Sequence, residues 1–61
     1  MNRPEDRTYN VAVTYRGVTV VEQVQADSHV TAYENAVALI IDREPKITAA
    51  HVRYVNSWCL S

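Results

Sequence analysis

The sequence predicts an α+β fold of the ββαβ kind, one helix packed on a three-stranded antiparallel sheet in the order 2-1-3. Three observations predict it. Ser28 to Arg43 repeats its apolar residues at helical spacing, Tyr9 to Tyr15 alternates apolar and polar residues, and Arg16-Gly17 links that run to a second alternating one. Sixty-one residues make one domain, and a chain near that size hides only about 60% of its unfolded surface. Stability must then come from tight packing or self-association.

Met1 to Thr8 is polar and charged and contains Pro4, so it reads as a flexible N-terminal arm ahead of a single domain spanning 9–61. Arg3 and Arg7 alternate with Glu5 and Asp6, which is not the pattern of a basic tail that grips phosphates. In Tyr9 to Tyr15, the residues Tyr9, Val11, Val13 and Tyr15 share one face, as a half-buried strand requires. Gly17, the chain's one glycine, suits the positive φ of a tight hairpin. Val18 to Ala26 is the return strand, with Val18, Val20, Val24 and Ala26 turned inward. That phase also turns Glu22 inward, against the cost of burying a carboxylate. It must sit at the sheet's margin, be turned out by a bulge, or meet a basic group on a partner or on Arg53.

Ser28 is a good N-cap, with Asp27 just outside it, and Thr31-Ala32-Tyr33-Glu34 offers a rival start as a capping box. Pro45 ends the helix by forcing the residue before it out of helical geometry. At about 100° per residue, Val30, Tyr33, Ala36, Val37, Ile40 and Ile41 fall on one side, and Ala32 and Leu39 widen it. That arc is broader than a small sheet easily covers. Leu39 and Val30 therefore lie either at the core's edge or against a partner.

Glu44-Pro45-Lys46 turns the chain into a third strand, Ala49 to Asn56, with Val52 and Tyr54 on one face and His51, Arg53 and Val55 on the other. Pairing it with the first strand keeps every neighbour antiparallel. Ser57 to Ser61 holds the only tryptophan beside Cys59 and Leu60. If it extends the strand, Trp58 and Leu60 continue the parity of Val52 and Tyr54, and Trp58 either closes the core or anchors an interface.

A formal net charge of −1 argues against a general nucleic-acid binder. No apolar run nears the 18 or so residues that cross a bilayer, and the N-terminus has no apolar core of signal-peptide type, so a cytoplasmic protein without membrane contact is expected. One cysteine allows no internal disulfide and suits a reducing compartment. Cys59, His29 and His51 stand singly, a poor set for metal or for a nucleophile and its base. With one glycine there is no phosphate-cradling loop. The expectation is a protein with no cofactor, no metal and no enzymatic activity.

Ala26, Ser28, Ala32 and Ala36, after a hairpin and before a final strand carrying Val52-Arg53, form a layout that resembles the bacteriophage T7 family of inhibitors of host RNA polymerase, strand-strand-helix-strand proteins of nearly this length. The resemblance spans roughly residues 9 to 55. It implies docking on the polymerase jaw through charged residues of the sheet, with Arg53 at the position of an arginine on the last strand. The acidic hairpin residues of that family have no counterpart here, where the tip is Arg16-Gly17.

Together these readings point to a small phage or mobile-element accessory protein that binds and modulates a host protein and self-associates as a homodimer. The residues expected to carry the contact are Leu39, Arg53, Trp58, Leu60, Arg16 and Glu22. The rival expectation is an RNA or single-stranded DNA binder using the outer sheet face, with Arg16, Arg53 and His51 for phosphates and Tyr9 or Tyr15 for stacking.

Overall fold

A computed structural model describes residues 7–60. Its elements are β1 (Arg7–Tyr15), β2 (Val18–Ala26), α1 (His29–Arg43), one turn of 3-10 helix (Ala49–His51) and β3 (Arg53–Cys59). The strands form one antiparallel sheet in the order β2-β1-β3. The fold is therefore the ββαβ arrangement that the alternating runs and the lone helix require. Of the expected arm, Met1 to Asp6 lies outside the described residues, whereas Arg7 and Thr8 already belong to β1 and pair with Ala26 and Gln25.

The β1–β2 hairpin closes through Arg16 at φ 53° and Gly17 at φ 76°. Two successive positive φ values match the right-handed twist of the strands. A side chain at Gly17 would touch nothing within 4 Å, so the glycine is there for its backbone and not for space. At the same end, Tyr15 donates its hydroxyl proton to Glu44 Oε2 at 3.2 Å, and Arg16 Nη1 reaches Glu44 Oε1 at 3.2 Å. Loss of hydration, then the hydrogen bond to Glu44, raises the Tyr15 phenol above its ordinary value. A group whose folded pKa is raised contributes its stability below the unfolded value near 10 and loses it as pH climbs through the folded one. Tyr15→Phe is accordingly expected to flatten the fall in thermal stability above about pH 10, measured by melting curves across pH.

Ser28, with φ −160°, caps α1 by accepting from the Thr31 backbone N–H at 3.2 Å. Of the two possible starts, the earlier one forms, and Thr31 lies inside the first turn. Ser28→Ala is expected to lower stability by about 1 kcal/mol, read as a shift in the urea midpoint. At the other end the Glu44 N–H bonds to Ile40 O at 2.9 Å before Pro45 redirects the chain.

Val11 and Val13 of the central strand, Ala26 of β2, and Ala32, Ala36 and Ile40 of α1 are all fully buried. Ile47 joins them at 2% exposure from the loop after the helix, a core residue that its non-periodic neighbourhood does not announce. The two flanks of the broad apolar arc stay bare: Val30 is 69% exposed and Leu39 44%. Val18, expected inward, is also exposed, at the first position of β2 beside the hairpin turn.

The third strand starts later and ends later than its alternation suggests. Ala49–His51 winds into the 3-10 turn, with His51 N–H donating to Thr48 O at 2.9 Å and the His51 ring folded back against Thr48. β3 then pairs Val13 with Tyr54 but Ala12 with Asn56, leaving Val55 as an extra residue in a β-bulge. The bulge reverses the parity of everything after it. Ser57 faces the core opposite Val11, while Trp58, opposite Asn10, faces outward. Trp58 and Leu60 thus do not continue the face of Tyr54, and Trp58 does not close the core.

Candidate interaction surface

One face of the sheet is covered by α1 and the other by nothing among the described residues. Across the open face the register lines up Gln23, Asn10 and Trp58, then Val21, Ala12 and Asn56, then Thr19, Thr14 and Arg53. Only Arg53 in these rows is charged. Uncharged amides and hydroxyls alternate with exposed apolar groups, Val21 at 53% and Trp58 at 40%. Leu60, 51% exposed, is held at the end of this face by its N–H on Thr8 O at 2.7 Å.

The residues expected to act together are therefore divided. Arg53, Trp58 and Leu60 lie along β3 on the open side. Arg16 sits at the hairpin tip on Glu44, and Leu39 stands on the helix flank away from β3. Glu22 remains on the covered face opposite Val11, with no bulge in the β1–β2 register to turn it out. Its counter-charge is Arg43 from the last turn of α1, not Arg53. The Glu22 side chain keeps 14% of its exposure, so the carboxylate sits at the margin of the sheet. Its hydrogen bond and its charge raise the Arg43 guanidinium further above its already high value.

A polar cluster invisible to sequence reasoning joins the start of α1 to β3. Ser57 Oγ lies 2.6 Å from His29 Nδ1 and 2.8 Å from the Tyr54 hydroxyl, and Ser57 is only 8% exposed. The His29 ring meets Tyr9 edge-on at 4.9 Å, and Tyr33 meets Tyr54 likewise at 5.6 Å. Tyr33 also donates to Val52 O at 3.2 Å. A serine beside a histidine is the raw material of nucleophilic catalysis, which also needs the imidazole to be oriented by a third polar group. Here the ring rests on an aromatic edge, and the trio acts as a clamp between helix and strand. Only the bulge brings Ser57 inward, so no spacing in the sequence could have paired it with His29.

Beside this clamp, His29, Val30, Tyr33 and Tyr54 line a groove of about 320 Å³ that runs along the outer margin of β3. Its walls are the exposed Val30 side chain and the half-exposed Tyr54 ring. Among the described residues no three of His, Cys, Asp and Glu gather where a metal would sit, and no helix is long and apolar enough to cross a membrane.

No family model matches the chain, and no curated protein or solved structure matches it significantly.

Proposed function

We propose that this chain is a small non-enzymatic protein-interaction module, a phage or mobile-element accessory protein that binds and modulates a host protein in the host cytoplasm. The observation that supports it is the position of Trp58. A half-exposed tryptophan that shares its sheet face with exposed Leu60 and Val21 and, among the described residues of the rows, a single charge has the makings of an interface anchor. Host RNA polymerase is the target that the strand-strand-helix-strand layout suggests, with Arg53 as a contact.

The test is capture from host lysate by the tagged chain and by a Trp58→Ala, Leu60→Ala variant whose fold is checked by circular dichroism. A host protein held by the first and lost by the second is the expected result. Equal capture by both would remove the surface from the reading, and no specific capture would remove the reading itself.

A second reading, single-stranded RNA or DNA on the same face, is favoured by one specific feature. The rows around Trp58 hold Arg53, Asn10, Gln23 and Asn56 and no carboxylate, a composition that suits base stacking beside a phosphate. A labelled oligonucleotide whose fluorescence anisotropy rises at low salt and falls as salt is added would favour this reading over the first.

A further inference from the structure

The geometry points to an anion site at the hairpin end of the molecule, where Arg16, Lys46 and His51 meet over Ile47 in a cleft that takes a phosphate dianion, free or at the end of a small organic phosphomonoester. The cleft holds about 290 Å³, and those four residues line it. They come from three segments. Arg16 is the hairpin tip, Lys46 and Ile47 belong to the loop after α1, and His51 closes the 3-10 turn. None of them lies in the rows of the open sheet face, so the site stands independently of the function proposed for that face.

The polar atoms that line the cleft are donors. Lysine and arginine side chains have no acceptor to give. The Thr48 N–H donates to His51 Nδ1 at 3.3 Å, and a backbone N–H can only donate, so the ring proton sits on Nε2. The remaining polar atom of that ring is therefore a donor too. Arg16 Nη1 is braced by Glu44 Oε1 at 3.2 Å, which leaves the rest of the guanidinium for a ligand. Glu44 lies outside the lining, and its other oxygen accepts from Tyr15. Its charge offsets that of Arg16, and Lys46, with no ion pair among the described residues, keeps the balance positive. In a chain of net charge −1 this is a local concentration and not general basicity, and a concave wall of one sign gathers anions.

The site is built before a ligand arrives. Ile47 is 2% exposed and its N–H bonds to Glu44 O at 2.9 Å, so the loop that carries Lys46 is pinned to the core. Arg16 holds φ 53°, a left-handed conformation in which tight hairpins favour asparagine, aspartate or glycine. An arginine there is a backbone cost that the turn itself does not require. Donors from three segments match the three terminal oxygens of a phosphomonoester, whereas a carboxylate has two oxygens and a phosphodiester only two that are unbridged. Side chains do here what a glycine-rich loop does in other phosphate sites. The volume is at the small end of ligand clefts, about 300 to 1,000 Å³, which suits a phosphate on a small group with the methylene stems of Arg16 and Lys46 as its walls.

The test is titration of the isotope-labelled full chain, followed by amide chemical shifts at constant ionic strength, with inorganic phosphate, phenyl phosphate, dimethyl phosphate and acetate. Saturable binding of the first two is expected, with a dissociation constant at or below ~1 mM, shifts centred on residues 16–17 and 46–51, and weaker binding of the last two. Tighter binding of phenyl phosphate would assign the site to an organic ester, and equal binding to the free ion. Lys46→Gln and His51→Gln should each raise the constant at least about 10-fold, the effect of losing a hydrogen bond to a charged group, and Arg53→Gln on the open face should leave it unchanged. No saturation by either phosphate, equal affinity for dimethyl phosphate, or wild-type binding by Lys46→Gln would overturn the inference. The wild-type shift map locates the ion even where a variant fails to fold. Host-lysate capture and oligonucleotide binding test the open face separately, so failure there and failure here are distinguishable.

Discussion

Ile40→Ala should leave the protein at or past the edge of unfolding at 25 °C. Ile40 is fully buried in the core that α1 shares with the sheet, and its carbonyl holds the Glu44 N–H that ends the helix. Truncating a buried isoleucine costs about 2 to 5 kcal/mol, as lost transfer energy plus the cavity left behind. A chain of this length has a total of only about 3 to 9 kcal/mol at roughly 0.05 to 0.15 kcal/mol per residue. At mid-range of both figures, somewhat over half of the stability is at stake in one side chain. Urea denaturation followed by circular dichroism measures it, with Leu39→Ala as the comparison. Leu39 is the next residue but is nearly half exposed, so its loss should move the midpoint little. Equal shifts for the two would mean that α1 does not rest on the sheet by the Ile40 face.

Ala36→Leu should destabilise by the opposite route. Ala32 and Ala36, one turn apart, show no exposed surface, and their single methyl groups let the helix backbone approach the sheet closely. A leucine there has no void to fill and must push the helix outward or adopt a strained rotamer, which costs typically about 1 to 3 kcal/mol. At about 4 to 8 °C per kcal/mol for a domain of this size, the melting temperature should fall clearly. Ala38→Leu, two residues on but on the exposed side of the helix, should leave it nearly unchanged. A comparable fall in both would point to helix propensity or association as the cause and not to packing.

The strands and helix were legible because local periodicity and side-chain burial agree along most of the chain. Tyr9, Val11 and Val13 alternate and are buried; Ala32, Ala36, Val37 and Ile40 repeat at helical spacing and are buried. The candidate surface was legible only in part. Arg53 and Trp58 do share the open face of β3, with Leu60 just past its end, yet alternation counted from Tyr54 assigns Trp58 to the wrong face. The cause is the extra residue at Val55, a backbone event with no side-chain signature. Glu22 raised a true conflict, but its resolution needed Arg43, 21 positions away along the chain.

What the sequence by itself determined is the order and type of the elements, the Arg16-Gly17 turn, the Ser28 cap and the choice of core residues on the first strand and the helix. Each of these depends on neighbours within a turn or a pleat, where hydrogen-bond geometry and apolar spacing act locally. Only the tertiary structure decided which face receives Trp58, that Ile47 completes the core, that Ser57 joins His29, and that Val55 bulges out of the ladder. Those outcomes follow from the register between β1 and β3, which is set when distant segments pack and not by any short stretch of residues.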